Sequence, residues 1–343
     1  MPRDTIGEKF ALDNILDVAK PMEAAIIQGS AGRSPFLFND PYQPLQFVHA
    51  SDMHGLQDPW NRMILFTNHY KDYLSFAIHT GDFSGTAADW IDVCARAIPC
   101  DRPILQSTGN HDRADAQKIA GDGAKALVHS HIFNHTEDWD VTYMDCDYPM
   151  AYYKDFPESN IRLIVLDLYF DMEKQIQWLT ALLNRSKEEG MSVITATHQP
   201  TANLVEFPDT TFTTAMDWSR VYKDYQNDYP IVHTDFEEPI ADFIDAGGDY
   251  ICHLSGHHHR PYFGYTERGV LNLSVGVGNP WGNWNDSKRV FDSEAYDSFN
   301  VVSVDVNTHL LRIIRIGNDL DYYLRRQSLL SYDYKNKKVI YNG

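Results

Sequence analysis

Seven short apolar segments recur along this chain of 343 residues, and a polar or glycine-containing turn follows each of them. They are rich in valine, isoleucine and leucine, which is typical of strands buried on both faces of a sheet. They therefore predict the strands around which the rest of the chain packs. The segments are 45–50, 75–80, 103–108, 161–168, 192–197, 250–255 and 270–275.

Helical patterns lie between several of these segments. Residues 173–189 and 236–246 repeat apolar side chains at helical spacing, and a glycine follows each as a stop signal. Two later runs with alternating apolar residues, 299–306 and 310–316, predict a pair of adjacent strands. The alternation of strands and helices predicts an α/β fold.

Five short polar motifs stand where predicted strands end. In open α/β sheets, ligands bind beyond the carboxyl ends of the strands, so motifs that are distant in sequence can converge there. The motifs are Asp-Met-His at 52–54, Gly-Asp at 81–82, Gly-Asn-His-Asp at 109–112, His-Gln-Pro at 198–200 and Gly-His-His-His at 256–259.

The candidate ligands in these motifs are two carboxylates, one amide and four imidazoles. Oxygen and nitrogen donors without thiolates suit manganese, iron, nickel or zinc better than a structural zinc cage. Residues two apart on extended backbone point the same way, so each paired motif can serve one cluster. The candidate ligands are Asp52, His54, Asp82, Asn110, His198, His257 and His259.

In this order the motifs resemble the signature of the calcineurin-like metallophosphoesterases, which is Asp-x-His, Gly-Asp, Gly-Asn-His-Asp or -Glu, His and Gly-His-x-His. The resemblance covers about residues 45–275. It implies an α/β fold, a metallophosphoesterase-type β-sandwich of two mixed sheets flanked by helices in four layers. Any one motif alone is common in turns and on surfaces, whereas five in order are specific.

The resemblance also implies a binuclear metal centre at one edge of the sandwich. One ion would be held by an aspartate and two histidines, the other by an asparagine and two histidines, and a second aspartate would bridge them. The first set is Asp52, His54 and His259, the second set is Asn110, His198 and His257, and the bridge is Asp82.

By the same resemblance, His111 is the catalytic histidine, and the neighbouring Asp112 is expected to orient it. Two divalent cations about 3.5–4 Å apart bind phosphate oxygens and lower the pKa of a shared water. A metal-bridging hydroxide would attack phosphorus in line, and His111 would donate a proton to the leaving oxygen. We expect two divalent ions as cofactors, manganese or iron first, zinc or nickel second.

The charge of the chain limits its partners. Lys and Arg number 29 and Asp and Glu number 48, which gives a net charge of −19. Such a chain is a poor match for nucleic acid or an anionic membrane, whereas two bound cations would attract a small phosphate ester locally. We predict hydrolysis of a small phosphodiester, with a phosphomonoesterase acting on a nucleotide or sugar phosphate, or a nuclease of the same family, as alternatives.

Two departures from the family pattern make two branches of the family poor matches for this sequence. Protein phosphatases of this fold have Gly-Asp-x-Val-Asp-Arg-Gly and Gly-Asn-His-Glu, whereas the third motif here ends in Asp112. Purple acid phosphatases have an iron-binding tyrosine three residues after the bridging aspartate, and Gly85 occupies that position. The motifs are most similar to the branch that includes cyclic-nucleotide and other phosphodiesterases and DNA-repair nucleases.

Two alternatives to phosphate-ester hydrolysis remain. The chain could be a non-catalytic binding scaffold on the same fold, although such proteins usually lose ligands and this sequence keeps every position, including His111. It could also be a metal-dependent hydrolase acting on a substrate without phosphorus, because the same ligands permit that chemistry. A substrate screen separates these readings.

The expected organisation is one metallophosphoesterase domain with extensions at both ends. No apolar run is long enough to span a membrane, and the N-terminus has no secretory pattern, so we expect a cytoplasmic protein without a membrane partner. The oligomeric state stays open. The parts are an N-terminal extension 1–44, the domain 45–318 with insertions near 113–160, 201–234 and 276–298, and a C-terminal tail 319–343 that includes a solvated basic cluster at 335–338.

Overall fold

Two mixed β-sheets form the centre of the structure. The structure is a computed structural model, and it describes residues 12–17, 19–31, 41–84, 97–133, 139–206, 208, 234–259, 261–276, 278, 296–317 and 329–342. Most of the predicted insertions near 201–234 and 276–298 lie outside these residues.

All seven predicted strands are present, together with the predicted pair near the C-terminus. In the described part of the chain the strands are β1 (Leu45–Ala50), β2 (Phe76–His79), β3 (Ile104–Gln106), β4 (Thr142–Tyr143), β5 (Tyr152–Phe156), β6 (Ile161–Val165), β7 (Ser192–Ala196), β8 (Leu204–Glu206), β9 (Tyr250–Ser255), β10 (Tyr262–Thr266), β11 (Leu271–Ser274), β12 (Ser298–Asp305), β13 (Leu310–Gly317), β14 (Leu329–Asp333) and β15 (Lys338–Asn342).

The first sheet has seven strands in the order β15-β14-β13-β12-β1-β2-β3, and the second has eight in the order β4-β5-β6-β7-β9-β11-β10-β8. Parallel pairs occupy the part of each sheet that carries the motifs: β1, β2 and β3 are parallel neighbours, and so are β7 and β9. The carboxyl ends of parallel neighbours lie at the same sheet edge, which brings the five motifs toward one place.

The two sheets pack face to face through alternate residues of their strands. In β6, Leu163 and Val165 belong to the core between the sheets, while Ile164 packs on the opposite face with the helices. Phe76 of the first sheet stacks on Phe156 of the second, with the ring centroids 5.0 Å apart. Phe76 also stacks on Phe47 of its own sheet, with the ring centroids 4.6 Å apart. This period of two is what buried strands require.

Helices cover the outer faces, so the architecture is helix, sheet, sheet, helix. On the first sheet, the Gln46 side chain donates a hydrogen bond to the backbone oxygen of Ile26 at 2.8 Å, which ties the N-terminal helix to β1. None of the described helices combines the length and the apolar character that crossing a bilayer requires. The helices are α1 (Glu23–Ala31), α2 (Gln57–His69), α3 (Asn110–Ala120), α4 (Ala124–Ile132), α5 (Met172–Glu189) and α6 (Glu237–Asp245).

Two segments contain more regular structure than their sequence patterns indicate. Within 113–160, α3, α4, β4 and β5 account for much of the chain. Within 319–343, β14 and β15 extend the first sheet, and the basic cluster 335–338 lies at the hairpin turn between them. Regular packing on the sandwich therefore reaches beyond the boundaries expected from the sequence.

Candidate metal centre

The five motifs converge at one edge of the sandwich, and their side chains form two groups. In each group, one potential ligand atom per residue lies within 4.8 Å of the others. Asp82 belongs to both, so the two groups are adjacent. The first group is Asp52, His54, Asp82 and His259, and the second group is Asp82, His198 and His257, which Asn110 joins through its amide oxygen.

In the first group, the imidazole nitrogens face each other and a carboxylate. The Nε2 atoms of His54 and His259 are 3.0 Å apart, and His259 Nε2 is 3.3 Å from Asp52 Oδ1. His54 Nε2 lies 4.0 Å from Asp82 Oδ2, which is the atom that also faces the second group. Asp82 Oδ2 therefore lies between the two groups.

In the second group, the contacts are equally short. His198 Nε2 is 3.2 Å from Asp82 Oδ2 and 3.0 Å from Asn110 Oδ1. His257 Nδ1 is 3.0 Å from the same Asn110 oxygen. All seven candidate ligands from the sequence are thus together, although Asp52 and His259 are more than two hundred residues apart in the chain.

Backbone hydrogen bonds hold the carboxylates in place. The N–H of His257 donates to Asp52 Oδ2 at 3.0 Å, and the N–H of His111 donates to Asp82 Oδ1 at 2.8 Å. In each carboxylate, one oxygen is thereby engaged and the other faces the imidazoles. His198 is oriented in a similar way, because its Nδ1 donates to the Thr80 backbone oxygen at 2.7 Å and leaves Nε2 for the group.

The backbone at the site is strained. Five candidate ligands have left-handed backbone conformations, which are costly for residues other than glycine. Close packing also fixes the loops: a Cβ on Gly109 would lie 2.2 Å from Asp82 Oδ1, and one on Gly256 would lie 2.4 Å from Asp52 Oδ2. The left-handed positions are Asp52, His54, Asp82, His257 and His259, with φ between 46° and 66°.

Burial and neighbouring charges shift the pKa values of the candidate ligands in the metal-free site. Burial opposes the charge of Asp82, but the charge of His198 and a hydrogen bond from it hold the pKa of Asp82 well below its usual range. Burial also lowers the pKa of His198, but Asp82 outweighs it and raises that pKa to about 9. Burial lowers the pKa of His54 to about 4 and that of His257 to about 3, so both imidazoles are neutral at pH 7.

The donor set fits a divalent cation at each group. Lone pairs of carboxylate, amide and imidazole converge, and Asp52 Oδ1 is buried with no hydrogen-bond partner among the described residues. A buried, unsatisfied carboxylate oxygen is costly, and a shared cation satisfies such an atom. Nitrogen and oxygen donors without sulfur are those that manganese, iron, zinc and nickel accept.

His111 lies beside the first group. Its ring is edge-on to the ring of His54, with the centroids 4.8 Å apart, and its side chain is partly exposed. The carboxylate of Asp112, which is expected from the sequence to orient His111, is bonded to the backbone. Its two oxygens accept backbone N–H groups from Ser84 and Gly109, at 2.7 and 2.8 Å, so it fixes the start of α3 and the loop after Asp82.

Sequence reasoning missed two residues near the second group, Asp167, which is buried, and Tyr169, which is partly buried. Burial raises the pKa of Asp167 to about 7, and its neighbours include the Thr108 hydroxyl on the loop that leads to Asn110. Tyr169 lies under Arg113 of α3, with the guanidinium 5.7 Å from the ring centre. An aspartate inside the apolar run 161–168 was the signal that could have identified the first of them.

Comparisons with known proteins support the fold. No family model matches this sequence, and no curated protein matches it. A solved structure of a dimetal phosphatase from Danio rerio is 13% identical, covers 85% of this chain and 99% of its own, and has a TM-score of 0.53. Purple acid phosphatase PPD1 from yellow lupin (Lupinus luteus) seeds is 12% identical over 88% of this chain and 53% of its own, with a TM-score of 0.48.

A third similar structure is GAP50, the anchor in the inner membrane complex of Plasmodium. It is 14% identical and covers 88% of each chain, with a TM-score of 0.42. The first of the three structures carries the assignment, and at this identity the likeness concerns the fold alone. Two mixed sheets of seven and eight strands with flanking helices form the metallophosphoesterase-type α/β sandwich predicted from the sequence, and the likeness to the dimetal phosphatase supports this fold.

Proposed function

We propose that this protein is a binuclear metal-dependent phosphoesterase that hydrolyses a small phosphodiester. The observation that carries the proposal is the sharing of Asp82 by two adjacent groups of nitrogen and oxygen ligands. A carboxylate between two such groups is the arrangement that places two cations close enough to act on one phosphate. In this proposal Asp52, His54 and His259 hold one cation, and Asn110, His198 and His257 hold the other.

Two bound cations would bind the phosphate oxygens and supply an activated water for in-line attack. The residues of the chain hold and orient this centre. Asp52 and Asp82 each direct one oxygen inward because a backbone N–H engages the other, and Thr80 fixes the tautomer of His198. Such fixed ligands need no reorganisation when the substrate arrives.

His111 is the proposed proton donor to the leaving oxygen. Its backbone N–H is bound to Asp82, and its ring lies 4.8 Å from that of His54, so the imidazole borders the centre without belonging to either group. A positioned general acid typically contributes 10²–10⁴-fold to a rate. Asp112 acts as a positioning residue, because it holds the turn from which His111 projects.

The preference for a diester rests on the third motif, Gly109-Asn110-His111-Asp112, which resembles the phosphodiesterase branch. A phosphomonoesterase would use the same centre. The nuclease alternative ranks lower because a net charge of −19 gives little general attraction for a polyanion. The proposed metals are manganese or iron, with zinc or nickel as alternatives.

The test is a screen of the full chain reconstituted with each metal. The substrates are bis(p-nitrophenyl) phosphate, p-nitrophenyl phosphate, cyclic nucleotides, nucleotides and p-nitrophenyl acetate. We expect faster cleavage of the diesters, loss of that activity in Asn110→Ala, and a fall of about 10²-fold or more in His111→Ala. The matched control is His69→Ala, which removes an exposed histidine at the end of α2.

Three results would contradict the proposal in different ways. Cleavage of monoesters alone would overturn the diester preference, and cleavage of the acetate alone would overturn phosphorus as the target. Stoichiometric metal binding without hydrolysis of any substrate would favour the scaffold.

A further inference from the structure

A buried histidine of the second sheet lies beside the loop that carries the candidate ligand His198. His253 is in β9, where it pairs in register with Thr195 of the parallel strand β7. The neighbours of Thr195 in β7, Ile194 and Ala196, face the core between the sheets, so Thr195 faces the opposite side. Both His253 and Thr195 are fully buried.

Both ring nitrogens of His253 are within hydrogen-bond distance of oxygen atoms. Nδ1 is 2.8 Å from the Thr195 hydroxyl oxygen. Nε2 is 2.8 Å from the Thr197 hydroxyl oxygen and 3.2 Å from the backbone oxygen of Gln199. Thr197 and Gln199 are the residues immediately before and after His198. Nε2 of His253 therefore holds the chain on both sides of this candidate ligand.

The backbone oxygen of Gln199 fixes the direction of these bonds, because a carbonyl oxygen can only accept. The Thr197 hydroxyl donates its one hydrogen to that oxygen at 2.6 Å, so it accepts the N–H of His253 Nε2. Burial lowers the pKa of the His253 imidazole to about 3, so the ring is neutral and Nδ1 is an acceptor. Thr195 donates to Nδ1 and accepts in turn from the Tyr250 hydroxyl at 2.6 Å.

A chain of hydrogen bonds in one direction thus runs from Tyr250 through Thr195, His253 and Thr197 to Gln199. It crosses from the middle of β9 to the loop after β7. Buried polar networks in which every member has a partner are rigid, and they specify one arrangement of the chain. An apolar side chain in place of His253 would take the acceptor from Thr195 and the donor from Thr197.

The ring and the backbone of His198 have other bonds of their own. Its Nδ1 donates to the Thr80 backbone oxygen at 2.7 Å, and its backbone oxygen accepts the N–H of Gly256 at 2.9 Å. The bonds from His253 act one residue further on, at the carbonyl of Gln199, where the chain leaves the sheet. They hold the turn from which the imidazole of His198 reaches Asp82 and Asn110.

We propose that His253 is a positioning residue of the second group, and that its Nε2–H fixes the turn that directs His198 into the centre. This inference rests on the proposed binuclear centre, because the position of His198 matters for function only if the second group holds a cation. Partners behind metal ligands typically change metal affinity or activity by about 10–100-fold. Loss of the Nε2–H should therefore weaken binding of one cation of the two.

The experiment compares three variants of the full chain with the wild type. His253→Leu removes both ring nitrogens, whereas His253→Gln keeps an N–H at about the position of Nε2. Ile240→Ala is the control for stability, because it removes buried volume from the apolar cluster between the second sheet and its helices. If His253→Leu does not fold, Thr197→Val replaces it, because this change removes the hydroxyl that links Nε2 to Gln199.

The first measurement is Mn²⁺ binding by calorimetry. We expect two ions per chain in the wild type, and one of the two bound about 10–100-fold more weakly in His253→Leu. His253→Gln should bind both ions almost as tightly as the wild type. Ile240→Ala should also keep both affinities, although it lowers the unfolding temperature. A role of His253 in stability alone would not produce this difference.

The second measurement uses the metal-free protein, in which the histidine rings are labelled with ¹⁵N for NMR. We expect the proton of the His253 ring on Nε2. We also expect a Nδ1–H signal of His198 that the bond to Thr80 protects from exchange with water. This proton should exchange at least tenfold faster in His253→Leu, but not in His253→Gln or Ile240→Ala.

Three results would overturn the role of His253 and leave the binuclear centre intact, provided that the wild type binds two Mn²⁺ ions. They are a His253 proton on Nδ1 instead of Nε2, unchanged affinity for both ions in His253→Leu, and an equal loss of affinity in Ile240→Ala. A wild type that binds fewer than two ions would contradict the proposed function itself, and the role of His253 with it.

Discussion

The two halves of the metal centre are built in different ways. Every residue of the first group has a left-handed backbone, whereas in the second group Asn110 begins a regular helix and His198 follows β7 without a positive φ. The side chain of His198 is fully buried and tied to Thr80, while those of His54 and His259 are 11% exposed. All four residues of the first group thus have a costly conformation, whereas in the second group Asp82 and His257 are left-handed and Asn110 and His198 belong to the regular framework of the fold.

This contrast shows which residues carry the backbone strain of the site. A left-handed conformation costs roughly 1–2 kcal/mol per residue that is not glycine, and such strain persists at sites where function requires it. The second group should keep its geometry without cations. The first group should depend more on the cation that its ligands surround.

The largest effect is expected where the groups meet. Asp82→Asn removes the charge that both groups share, so both cations should be lost and phosphoesterase activity should fall at least a thousandfold, about 4 kcal/mol of barrier. Metal content after dialysis and kcat/KM measure this. The control is Asp72→Asn, at an exposed position. Retention of one tightly bound cation by Asp82→Asn would mean that one group is sufficient alone.

The next prediction separates the two halves. His198→Ala and His54→Ala should each release one cation, but only His198→Ala should also destabilise the metal-free protein. It leaves the buried Thr80 oxygen without its donor, which costs about 1–3 kcal/mol. Chemical unfolding in a chelator measures the difference. Equal losses of stability in the two variants would mean that His198 does not support the metal-free fold more than His54 does.

A third prediction concerns Asp167, which supports the loop of the second group. Burial raises its pKa from 3.8 to about 7, so between these values the folded state binds a proton that the unfolded state has lost. The stabilisation is complete below pH 4 and is lost as the pH rises toward 7. Relative to Asp167→Asn, the wild type should lose on the order of 3 kcal/mol of unfolding free energy between pH 4.5 and 8.

Unfolding curves of the two proteins at several pH values test this. Asp72→Asn serves again as the exposed control, and it should show no comparable difference from the wild type. Parallel pH profiles for the wild type and Asp167→Asn would show that Asp167 is ionised in the folded protein.

The smallest effect tests the strain directly. At His259 the backbone is left-handed, so His259→Gly should be more stable than His259→Ala by about 1 kcal/mol without metal. At His198 the order should reverse, because glycine there only adds disorder to the unfolded chain. Unfolding free energies of the four variants measure both differences. A preference for alanine at both positions would contradict the strain at His259.

The sequence predicted nine of the described strands and the seven candidate ligands that the structure brings together, because each ligand follows a buried strand and the chemistry of its side chain is visible in the residue type. It could not reveal the left-handed backbone, which depends on how loops from different strands pack. It also missed α4, in which the buried residues Ala124, Val128 and Ile132 lie four apart. One buried residue per turn is too narrow a stripe to distinguish from a loop.

The role of Asp112 illustrates the same limit. Adjacency to His111 suggested that it orients the imidazole, but the start of α3 turns its carboxylate toward backbone N–H groups of Ser84 and Gly109. A side chain three positions into a helix commonly satisfies the free N–H groups at the helix start, and that geometry depends on where the helix begins.

The costly backbone of the first group has a consequence for the life of the protein in a cell. A ligand that binds only the native state adds about 2.7 kcal/mol of stability when its concentration is a hundred times its dissociation constant. A chain that waits for its cations lacks this contribution and spends more time open to proteases. If the protein binds the proposed cations, its abundance should therefore follow the supply of that metal, and starvation for the metal should shorten its half-life before any shortage of substrate is felt.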